Sequence, residues 1–428
     1  MRVIKYPPLE TWSEIVKRPV LDTVFLERTV ANILSDVRDN GDAALRHCAR
    51  HFDKVALDVF EVSDEEFAEA DARVAGELKT AIAAAKANIE KFHALRSEER
   101  QIIETTDGVF CWQKTVAIEK VGLYVPAGSA PLFSTVLMLA IPAALAGCRD
   151  IIVCSPPDTN GKINPATLYA AKLCGVTRVF KIGGAQAIGA LGYGTETVPR
   201  VYKIFGPGNQ FVTEAKQQIS KAGAAIDMPA GPSEIAVLAD DSAVPAFVAS
   251  DLLSQAEHGP DSQVLLVTTS ESLVEKVFVE INKQLEDLSR RDFADAALQN
   301  SKAIVVDSIA TGVELINEYA PEHLIIATEN EDAVAEKIVN AGSVFIGNYS
   351  CESAGDYASG TNHTLPTNGF ARSFGGVAIE SFTKKITFQK LTAAGLKNLG
   401  PTIEILARAE GLTAHERAVS IRLAEFGE

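Results

Sequence analysis

Short apolar runs, separated by segments with helical periodicity, set the strongest limit on the fold of this chain. After Gly122 the first runs are Ile151–Cys154, Val179–Ile182 and Val201–Phe205, and each is followed by glycine, proline or a helical segment. Continuous apolar runs of this length are typical of buried strands. We therefore predict parallel strands that are joined by crossover helices.

A second series of strand-like runs follows further along the chain. It comprises Glu234–Ala239, Val264–Thr268, Ala303–Asp307, Leu324–Ala327 and Ser343–Ile346. Helical patterns separate these runs, for example at residues 244–258 and 271–288. The sequence therefore predicts two α/β sheets. The two series suggest an ancient duplication, although no residue-level repeat is visible between them.

The two ends of the chain differ from this α/β region. Residues 1–20 are punctuated by proline and predict a short arm, and the pattern from Leu26 to about Arg100 predicts helices. Within that region, Ser63 and Glu66 have the spacing of a capping box at a helix start. From about residue 378 the pattern is again helical. A chain of 428 residues exceeds the size of one hydrophobic core, so we expect at least two domains.

Composition excludes some classes of function. The formal charge of −16 disfavours a nucleic-acid partner. The longest apolar stretch, Val136–Ala146, is too short to cross a bilayer and contains Pro142. The first residues have no apolar signal region, and the six cysteines show no C-x-x-C spacing. We therefore expect a cytoplasmic protein with reduced thiols and no membrane partner.

Glycine-rich turns follow two of the predicted strands. Gly183-Gly184 follows the strand at 179–182, and Gly206-Pro207-Gly208-Asn209 follows the strand at 201–205 and opens a helix. Glycine lets the backbone approach a phosphate, and a helix N-terminus favours negative charge. Neither turn is a full G-x-G-x-x-G fingerprint, and tight strand–helix turns are the alternative. Because ligands gather at the carboxyl ends of parallel strands, the pair favours a nucleotide site.

Four of the seven histidines stand in short polar segments that also carry a carboxylate. The segments are Gln255–His258, Glu322-His323, Asp356–His363 and Glu410–His415. Imidazole beside carboxylate is what a divalent metal site or an acid–base relay requires. A satisfied surface or core residue is the simpler interpretation of any single histidine. Four such segments together favour a functional site.

Two of these segments predict a metal site. Gln255 and His258 lie three residues apart on a predicted helix and would project from one face, although glutamine is an unusual ligand. Asp356 lies in a predicted glycine- and serine-rich loop and would be a hard oxygen ligand, and His415 would add a second imidazole. Such a mixed nitrogen and oxygen set suits zinc better than manganese or iron. An ordinary turn residue is the alternative for Asp356.

The Glu322-His323 segment predicts a site for proton transfer. It follows Ala320-Pro321, where a predicted helix gives way to the strand at 324–327. Side chains at a strand edge beside a cleft are well placed to accept and donate protons. A solvated turn is the alternative for this pair.

At these segments the chain resembles the histidinol dehydrogenase family. The resemblance is carried by VGLYVPAGSAPLFSTVLMLA (121–140), KIGGAQAIGAL (181–191), KIFGPGN (203–209), DMPAGPSE (227–234), DLLSQAEHGPDSQ (251–263), APEHL (320–324), ESAGDYASGTNHTLPTNG (352–369) and EGLTAH (410–415). These stretches occur in the family's order and span nearly the whole chain. The chain departs from the family at Ala127, where a second glycine is common, and at Cys351, where proline is common.

The resemblance implies a zinc- and NAD-dependent enzyme that oxidises L-histidinol to L-histidine through L-histidinaldehyde, the last two steps of histidine biosynthesis. The implied metal ligands are Gln255, His258, Asp356 and His415. The implied catalytic residues are His323, for proton transfer from the alcohol, and Glu322, for activation of water. The implied substrate contacts are the four metal ligands, His323, Ser233, His363 and Glu410. The implied cofactor contacts are Tyr124, Gln186 and Asn209.

The resemblance also implies an architecture. We expect an α/β fold with two incomplete Rossmann-like domains that have parallel-rich sheets, a short N-terminal arm over residues 1–20 and a helical C-terminal extension. Residues 21–123 and 235–377 would form the first domain, with the metal and catalytic residues. Residues 124–234 would form the second domain, which binds NAD, and residues 378–428 a dimerisation tail. In the implied homodimer this tail crosses to the partner, whereas a tail that packs on its own subunit is the alternative.

Three rival functions compete with this interpretation. A dehydrogenase on the same scaffold could oxidise another polar alcohol such as a sulfonated diol, but His363 and Glu410 stand in family-like contexts. A zinc hydrolase would use Glu322 as the base, but it would leave the glycine-rich strand ends unexplained. A non-catalytic binding module needs no acid–base pair beside a metal constellation.

Overall fold

The chain divides into two compact units, the larger with residues 1–94 and 118–382 and the smaller with residues 95–117 and 383–428. The computed structural model describes residues 1–18, 23–94, 101–127 and 131–425. Short parts of four predicted segments lie outside the described residues. They are 19–22 at the arm boundary, 95–100 in the helical region, 128–130 in a family-like motif and 426–428 in the tail.

The strands, in chain order, are β1 (Arg2–Lys5), β2 (Ile102–Thr106), β3 (Val109–Ala117), β4 (Lys120–Tyr124), β5 (Asp150–Ser155), β6 (Arg178–Lys181), β7 (Lys203–Phe205), β8 (Ala225–Ile226), β9 (Glu234–Ala239), β10 (Gln263–Thr268), β11 (Lys302–Val305), β12 (His323–Ala327), β13 (Ser343–Ile346) and β14 (Thr383–Leu391). The α-helices are α1 (Trp12–Ile15), α2 (Thr23–Asn40), α3 (Asp42–Cys48), α4 (Asp64–Arg73), α5 (Gly76–His93), α6 (Ser134–Ala146), α7 (Pro165–Leu173), α8 (Gly184–Tyr193), α9 (Gln210–Ser220), α10 (Pro245–Ala256), α11 (Glu271–Leu285), α12 (Arg291–Gln299), α13 (Ile309–Tyr319), α14 (Glu331–Ala335), α15 (Glu352–Tyr357), α16 (Ala393–Ala409) and α17 (Thr413–Ala424).

Two parallel sheets form the framework of the larger unit. One has the strand order β1-β11-β10-β9-β12-β13, and the other has the order β6-β5-β4-β7-β8. Counted from its own first strand, each series has the order third, second, first, fourth, fifth. This is the Rossmann order without its sixth strand. The predicted pair of incomplete Rossmann-like sheets is therefore confirmed. Strand β1, from the predicted arm, pairs with β11 at the edge of the first sheet.

Successive side chains of the central strands point to opposite faces, so an apolar core forms on both faces of each sheet. In β9, Ile235 and Val237 pack into one cluster with α10 and α11, while Ala236 and Leu238 pack into another with α13. In β4, Val121 and Leu123 lie in a cluster with α5, α6 and α7. Because both faces are covered by helices, these strands read as continuous apolar runs rather than as alternating ones. This is why the sequence marks them so clearly.

Most predicted elements of the larger unit are confirmed. The strands at Glu234–Ala239 and Ser343–Ile346 match to the residue. The capping box is present, because the Ser63 side chain accepts from the Glu66 N–H and the Glu66 side chain accepts from the Ser63 N–H. The apolar stretch that contains Pro142 is helix α6. No helix in the described ranges is long and apolar enough to cross a membrane.

The smaller unit corrects one prediction. The segment from residue 378 is predicted to be helical, and Ile379–Phe382 forms a 3₁₀ helix, but β14 follows and pairs antiparallel with β3 along nine residues. Strand β2 completes a three-stranded antiparallel sheet, and the helical extension starts only at α16. The β14 sequence, TKKITFQKL, is mostly exposed and rich in lysine, so its strand character does not appear as an apolar run.

Candidate active site

A cavity of about 610 Å³ lies in the larger unit and receives residues from both parallel sheets. Ten of the predicted site residues line this cavity: Tyr124, Gln186, Asn209, Ser233, Gln255, His258, Glu322, His323, Asp356 and His363. They come from segments that are spread over some 240 positions of the sequence. The predicted catalytic, metal and cofactor residues of this unit therefore share one cavity.

Glu322 and His323 stand at the amino end of β12. Helix α13 ends at Tyr319, and Ala320 then takes a left-handed conformation with φ of 53°, which turns the chain into the strand. Both side chains are buried, with Glu322 and His323 only 7% and 3% exposed. The Glu322 carboxylate Oε2 accepts a hydrogen bond from the Glu234 N–H at 2.9 Å. The predicted solvated turn is thus excluded as an interpretation of this pair.

The amide of Gln255 is oriented by its neighbours. Its Nε2 lies 3.1 Å from the Glu234 carbonyl oxygen, 3.5 Å from Glu322 Oε2 and 2.9 Å from His323 Nδ1. A carbonyl and a carboxylate oxygen only accept hydrogen bonds, so the amide nitrogen must face them. Gln255 Oε1 is therefore left as the free donor atom, which is the atom a hard metal ion would use.

Several donor atoms converge without a hydrogen-bond partner. Among the described residues, the buried atoms without one include Gln255 Oε1 and Glu352 Oε1, while His323 Nε2 and Asp356 Oδ1 lie 3.4 Å apart and form only an ion pair. Donor atoms of His258, Glu352 and Asp356 also lie within 4.8 Å of one another. Unpaired buried polar atoms are costly, and a bound cation or polar substrate would satisfy them. The residues present therefore fit a metal ion with mixed nitrogen and oxygen ligands.

Two of the predicted ligands occupy different local structure from that predicted. His258 lies just beyond α10, which ends at Ala256, and its N–H still donates to the Gln255 carbonyl at 3.3 Å. Asp356 was predicted in a loop but lies in the last turn of the short helix α15. The glycines around Asp356 suggested a loop, whereas Glu352 to Tyr357 complete about one and two-thirds helical turns before the chain reaches Gly360.

Glu352 is a site residue that the sequence interpretation missed. It lies one helical turn before Asp356 on α15 and is 1% exposed, and its Oε2 accepts a hydrogen bond from the Ser254 hydroxyl at 2.8 Å. Burial raises the pKa of Glu352 above the usual glutamate value, while the nearby His323 opposes this shift. A helical interpretation of ESAGDY would have placed the two carboxylates on one face and revealed it.

The charges around His323 alter the pKa values of the cluster. Burial acts to lower the pKa of His323, but Glu322 and Glu352 outweigh it and raise the pKa well above the usual value. Burial likewise acts to raise the pKa of Asp356, but its contact with His323 holds the pKa below the usual aspartate value. Burial raises the pKa of Glu322. The His323 imidazole therefore acts to lower the pKa of each neighbouring carboxyl group, against the effect of burial.

His363 and His258 differ from His323 in their surroundings. Burial lowers the pKa of each below the usual histidine value, although the ring of His258 is accessible to solvent within the cavity. His363 Nδ1 lies 2.9 Å from the Asp356 carbonyl oxygen, which can only accept, so Nδ1 carries the proton. Its Nε2 then accepts from the Thr135 hydroxyl at 3.2 Å. Neutral imidazole is the form that binds metals and polar substrates.

The cofactor end of the cavity is built on the carboxyl ends of β4 and β7. Tyr124 ends β4, its hydroxyl oxygen accepts from the Gly184 N–H at 3.0 Å, and burial raises its pKa to about 12. Asn209 caps α9, because its Oδ1 accepts from the N–H groups of Phe211 and Val212 at 3.1 Å. The Asn209 amide NH₂ stays available for a ligand. Gly206 has φ of 128°, a conformation that favours glycine.

Two predicted residues belong to the smaller unit. Glu410 caps the end of α16 and His415 lies in the first turn of α17, and both are exposed. Their predicted contacts with substrate and metal stay predictions.

The chain is similar to known proteins over nearly its whole length. The model of the histidinol dehydrogenase family matches residues 16–423. A histidinol dehydrogenase of Bacteroides fragilis (strain YCH46) is 58% identical over 426 residues, and the alignment covers 100% of both chains. A crystal structure of histidinol dehydrogenase from Elizabethkingia anophelis has 54% identity and a TM-score of 0.96, with 100% of this chain and 99% of that chain covered.

The chain belongs to the histidinol dehydrogenase family. A more distant relative, the histidinol dehydrogenase of Xanthomonas campestris pv. campestris (strain ATCC 33913), is 52% identical over 413 residues, with 96% of each chain covered. The family oxidises histidinol to histidine in histidine biosynthesis and consists of NAD-dependent dehydrogenases. The predicted family, enzyme class and reaction are therefore confirmed.

Proposed function

We propose that this cavity oxidises L-histidinol to L-histidine in two successive steps, with L-histidinaldehyde held in the site between them. The observation that carries the proposal is the buried pair Glu322 and His323 beside the unpaired Gln255 Oε1 and the carboxylate of Asp356, in the same cavity as the glycine-rich turns. An alcohol oxidation needs a base for the hydroxyl proton, and an aldehyde oxidation needs an activated water. Two adjacent groups of different chemistry supply both needs in one place.

The proposed metal is zinc, held by Gln255, His258 and Asp356 of this chain and by His415 from a partner subunit. Support comes from the orientation of Gln255 Oε1 and from the proximity of His258 and Asp356. When bound, zinc orients the substrate and polarises its oxygen. His415 would be the fourth ligand of the proposed set, and it is exposed on the smaller unit.

The proposed cofactor is NAD, which accepts the hydride in each step when it is bound. We assign its nicotinamide contacts to Tyr124, Gln186 and Asn209, which line the cavity at the carboxyl ends of β4 and β7. This is the point at which the strand order reverses in the second sheet, where doubly wound folds bind dinucleotides. The free NH₂ of Asn209 and the N-terminus of α9 offer hydrogen-bond donors there.

We assign the proton chemistry to Glu322 and His323. His323 mediates the transfer of the proton from the substrate alcohol, and Glu322 takes a proton from the water that attacks the aldehyde carbon. Both groups are buried and hydrogen-bonded, so the proton moves between positioned atoms. Ser233, His363 and Glu410 contact the substrate beside the metal ligands. Glu352 is the further carboxylate that faces the same point.

The proposed assembly is a homodimer with shared active sites. Its support is that Glu410 and His415 are exposed on the smaller unit, and that cyclic dimers are the commonest oligomers. We propose that the enzyme works in the cytoplasm, where its six cysteines, all free, stay reduced.

Metal analysis of variants tests the zinc assignment. His258→Ala and Asp356→Ala should each lose the metal, whereas the wild-type protein should retain about one zinc ion per subunit after dialysis. His47→Ala, which replaces an exposed histidine that does not line the cavity, is the matched control and should keep its zinc. Full zinc occupancy in both cavity variants would contradict the ligand assignment.

A further inference from the structure

Glu234 is a buried carboxylate that the proposed chemistry does not use. It is the first residue of β9, and its side chain is 2% exposed. Arg18, from the segment after α1, donates from Nε to Glu234 Oε1 at 2.7 Å and from Nη2 to Oε2 at 2.8 Å. The Asn368 N–H donates to Oε1 at 2.8 Å. A carboxylate so enclosed keeps its place only while its bidentate partner is present.

The backbone of Glu234 contacts the catalytic cluster on both sides. Its N–H donates to Glu322 Oε2 at 2.9 Å, and its carbonyl oxygen accepts from Gln255 Nε2 at 3.1 Å. Its side chain is tied to Arg18, while its peptide groups hold the proposed base for water and a proposed metal ligand. A shift of this one residue would therefore move hydrogen-bond partners of Glu322 and Gln255.

Arg18 also holds the turn that leads into Glu322. Its Nη2 donates to the Tyr319 carbonyl at 2.8 Å, and its guanidinium lies over the Tyr319 ring at 4.0 Å from the centroid. The next residue, Ala320, has φ of 53°, which an L-residue other than glycine rarely adopts. A strained conformation persists when its surroundings fix it. Arg18 is part of those surroundings.

We propose that Arg18 is a positioning residue for Glu322, acting through Glu234 and through the Tyr319–Ala320 turn. It joins the strand that donates to the Glu322 carboxylate and the turn that carries Glu322. Arg18 therefore sets the position of that carboxylate relative to its hydrogen-bond donor. The inference rests on the proposed function, because it assigns Arg18 to the step that needs Glu322, the oxidation of the aldehyde.

Separate measurement of the two half-reactions tests this role. In Arg18→Met, NADH formation from L-histidinaldehyde should fall about 10- to 100-fold, as is typical when a supporting partner is lost. Formation of the aldehyde from L-histidinol in a single turnover should fall less than about threefold. Glu322→Gln is the benchmark. It should also slow the aldehyde half-reaction more than the alcohol half-reaction, and the loss of rate should be larger than in Arg18→Met. All rates are normalised to the zinc content of each preparation.

Two further variants separate positioning from stability. Arg178→Met is the matched control, because it breaks a bidentate pair with Glu61 outside the cavity lining, and it should leave both half-reactions unchanged. Arg18→Lys keeps the charge but not the bidentate geometry, and it should show a smaller split of the same sign. If Arg18→Met does not fold, the result for Arg18→Lys decides.

Equal loss of both half-reactions in the Arg18 variants, or no loss in either, would overturn the positioning role. A wild-type protein that oxidises L-histidinol but not L-histidinaldehyde would instead overturn the proposed two-step function. The two failures are therefore distinguishable in one set of measurements.

Discussion

Replacement of Lys216 by methionine should destabilise the larger unit by leaving a buried carboxylate without its cation. The side chains of Lys216 and Asp227 are 3% and 0% exposed, and Lys216 Nζ pairs with Asp227 Oδ1. Lys216 Nζ also donates to the Gly206 carbonyl at 2.8 Å. The pair therefore ties α9 and the segment after β8 to the glycine-rich turn of the cofactor site.

The expected loss of stability depends on which hydrogen-bond partners Asp227 retains and which it loses. Loss of one partner of a buried ion pair costs about 3–5 kcal/mol. Asp227 retains N–H donors from Gly206 at 2.8 Å and from Met228 at 2.7 Å, so the lower end of this range, about 3 kcal/mol, applies. In the double variant Lys216→Met with Asp227→Asn both charges are absent, one N–H group loses its acceptor, and the Gly206 carbonyl loses its donor. Each loss costs about 1–3 kcal/mol.

Equilibrium unfolding in urea at one fixed protein concentration measures these differences, with the single and double variants in one thermodynamic cycle. The loss in the double variant should be smaller than the sum of the single losses by at least about 2 kcal/mol. The Michaelis constant for NAD should rise more than that for L-histidinol, because the pair supports the Gly206 turn. A stability within about 0.5 kcal/mol of the wild type for Lys216→Met, or single losses that simply add, would refute the reasoning.

Two other predictions concern pH and assembly. Burial raises the pKa of Asp251 from 3.8 to about 6. The ionisation of Asp251 therefore lowers the stability of the folded protein as pH rises from about 4 to 6. Asp251→Asn should be more stable than the wild type by up to about 3 kcal/mol at pH 7 but not at about pH 4. Unfolding at both pH values measures this, and a constant difference would contradict it. In a shared site, mixing inactive His258→Ala and His415→Ala subunits should restore about a quarter of wild-type activity, because half the dimers are mixed and each has one intact site. No recovery despite verified subunit exchange would show that each chain completes its own site.

The strands of the parallel sheets were predictable because both of their faces are buried. The runs at Glu234–Ala239 and Ser343–Ile346 stand out from composition alone. Strand β14 did not, because its stability comes from pairing with β3, which is distant in sequence. Strand β1 also joins its sheet through a partner some 300 residues away, and the prolines near it suggested only an arm. Local sequence does not encode such long-range pairing.

The two ends of the candidate site also differ in how well the sequence predicts them. The cofactor end follows the rule that ligands bind at the carboxyl ends of parallel strands, and the glycine turns marked it in the sequence. The catalytic end lies instead at the amino ends of β9 and β12, a position at which no general rule predicts a ligand site. Glu352 was missed because its segment was interpreted as a loop rather than as helix α15, and Arg18 was missed because its role depends on a contact across the fold with Glu234.

The most direct test of the account is the stoichiometry of the complete reaction. The purified protein with NAD and a limiting amount of L-histidinol should form about two NADH per substrate consumed, because one buried acid–base pair serves both oxidations in one cavity. An aldehyde-trapping reagent in the solution should capture almost nothing. One NADH per L-histidinol, with the aldehyde released to the trap, would contradict the account.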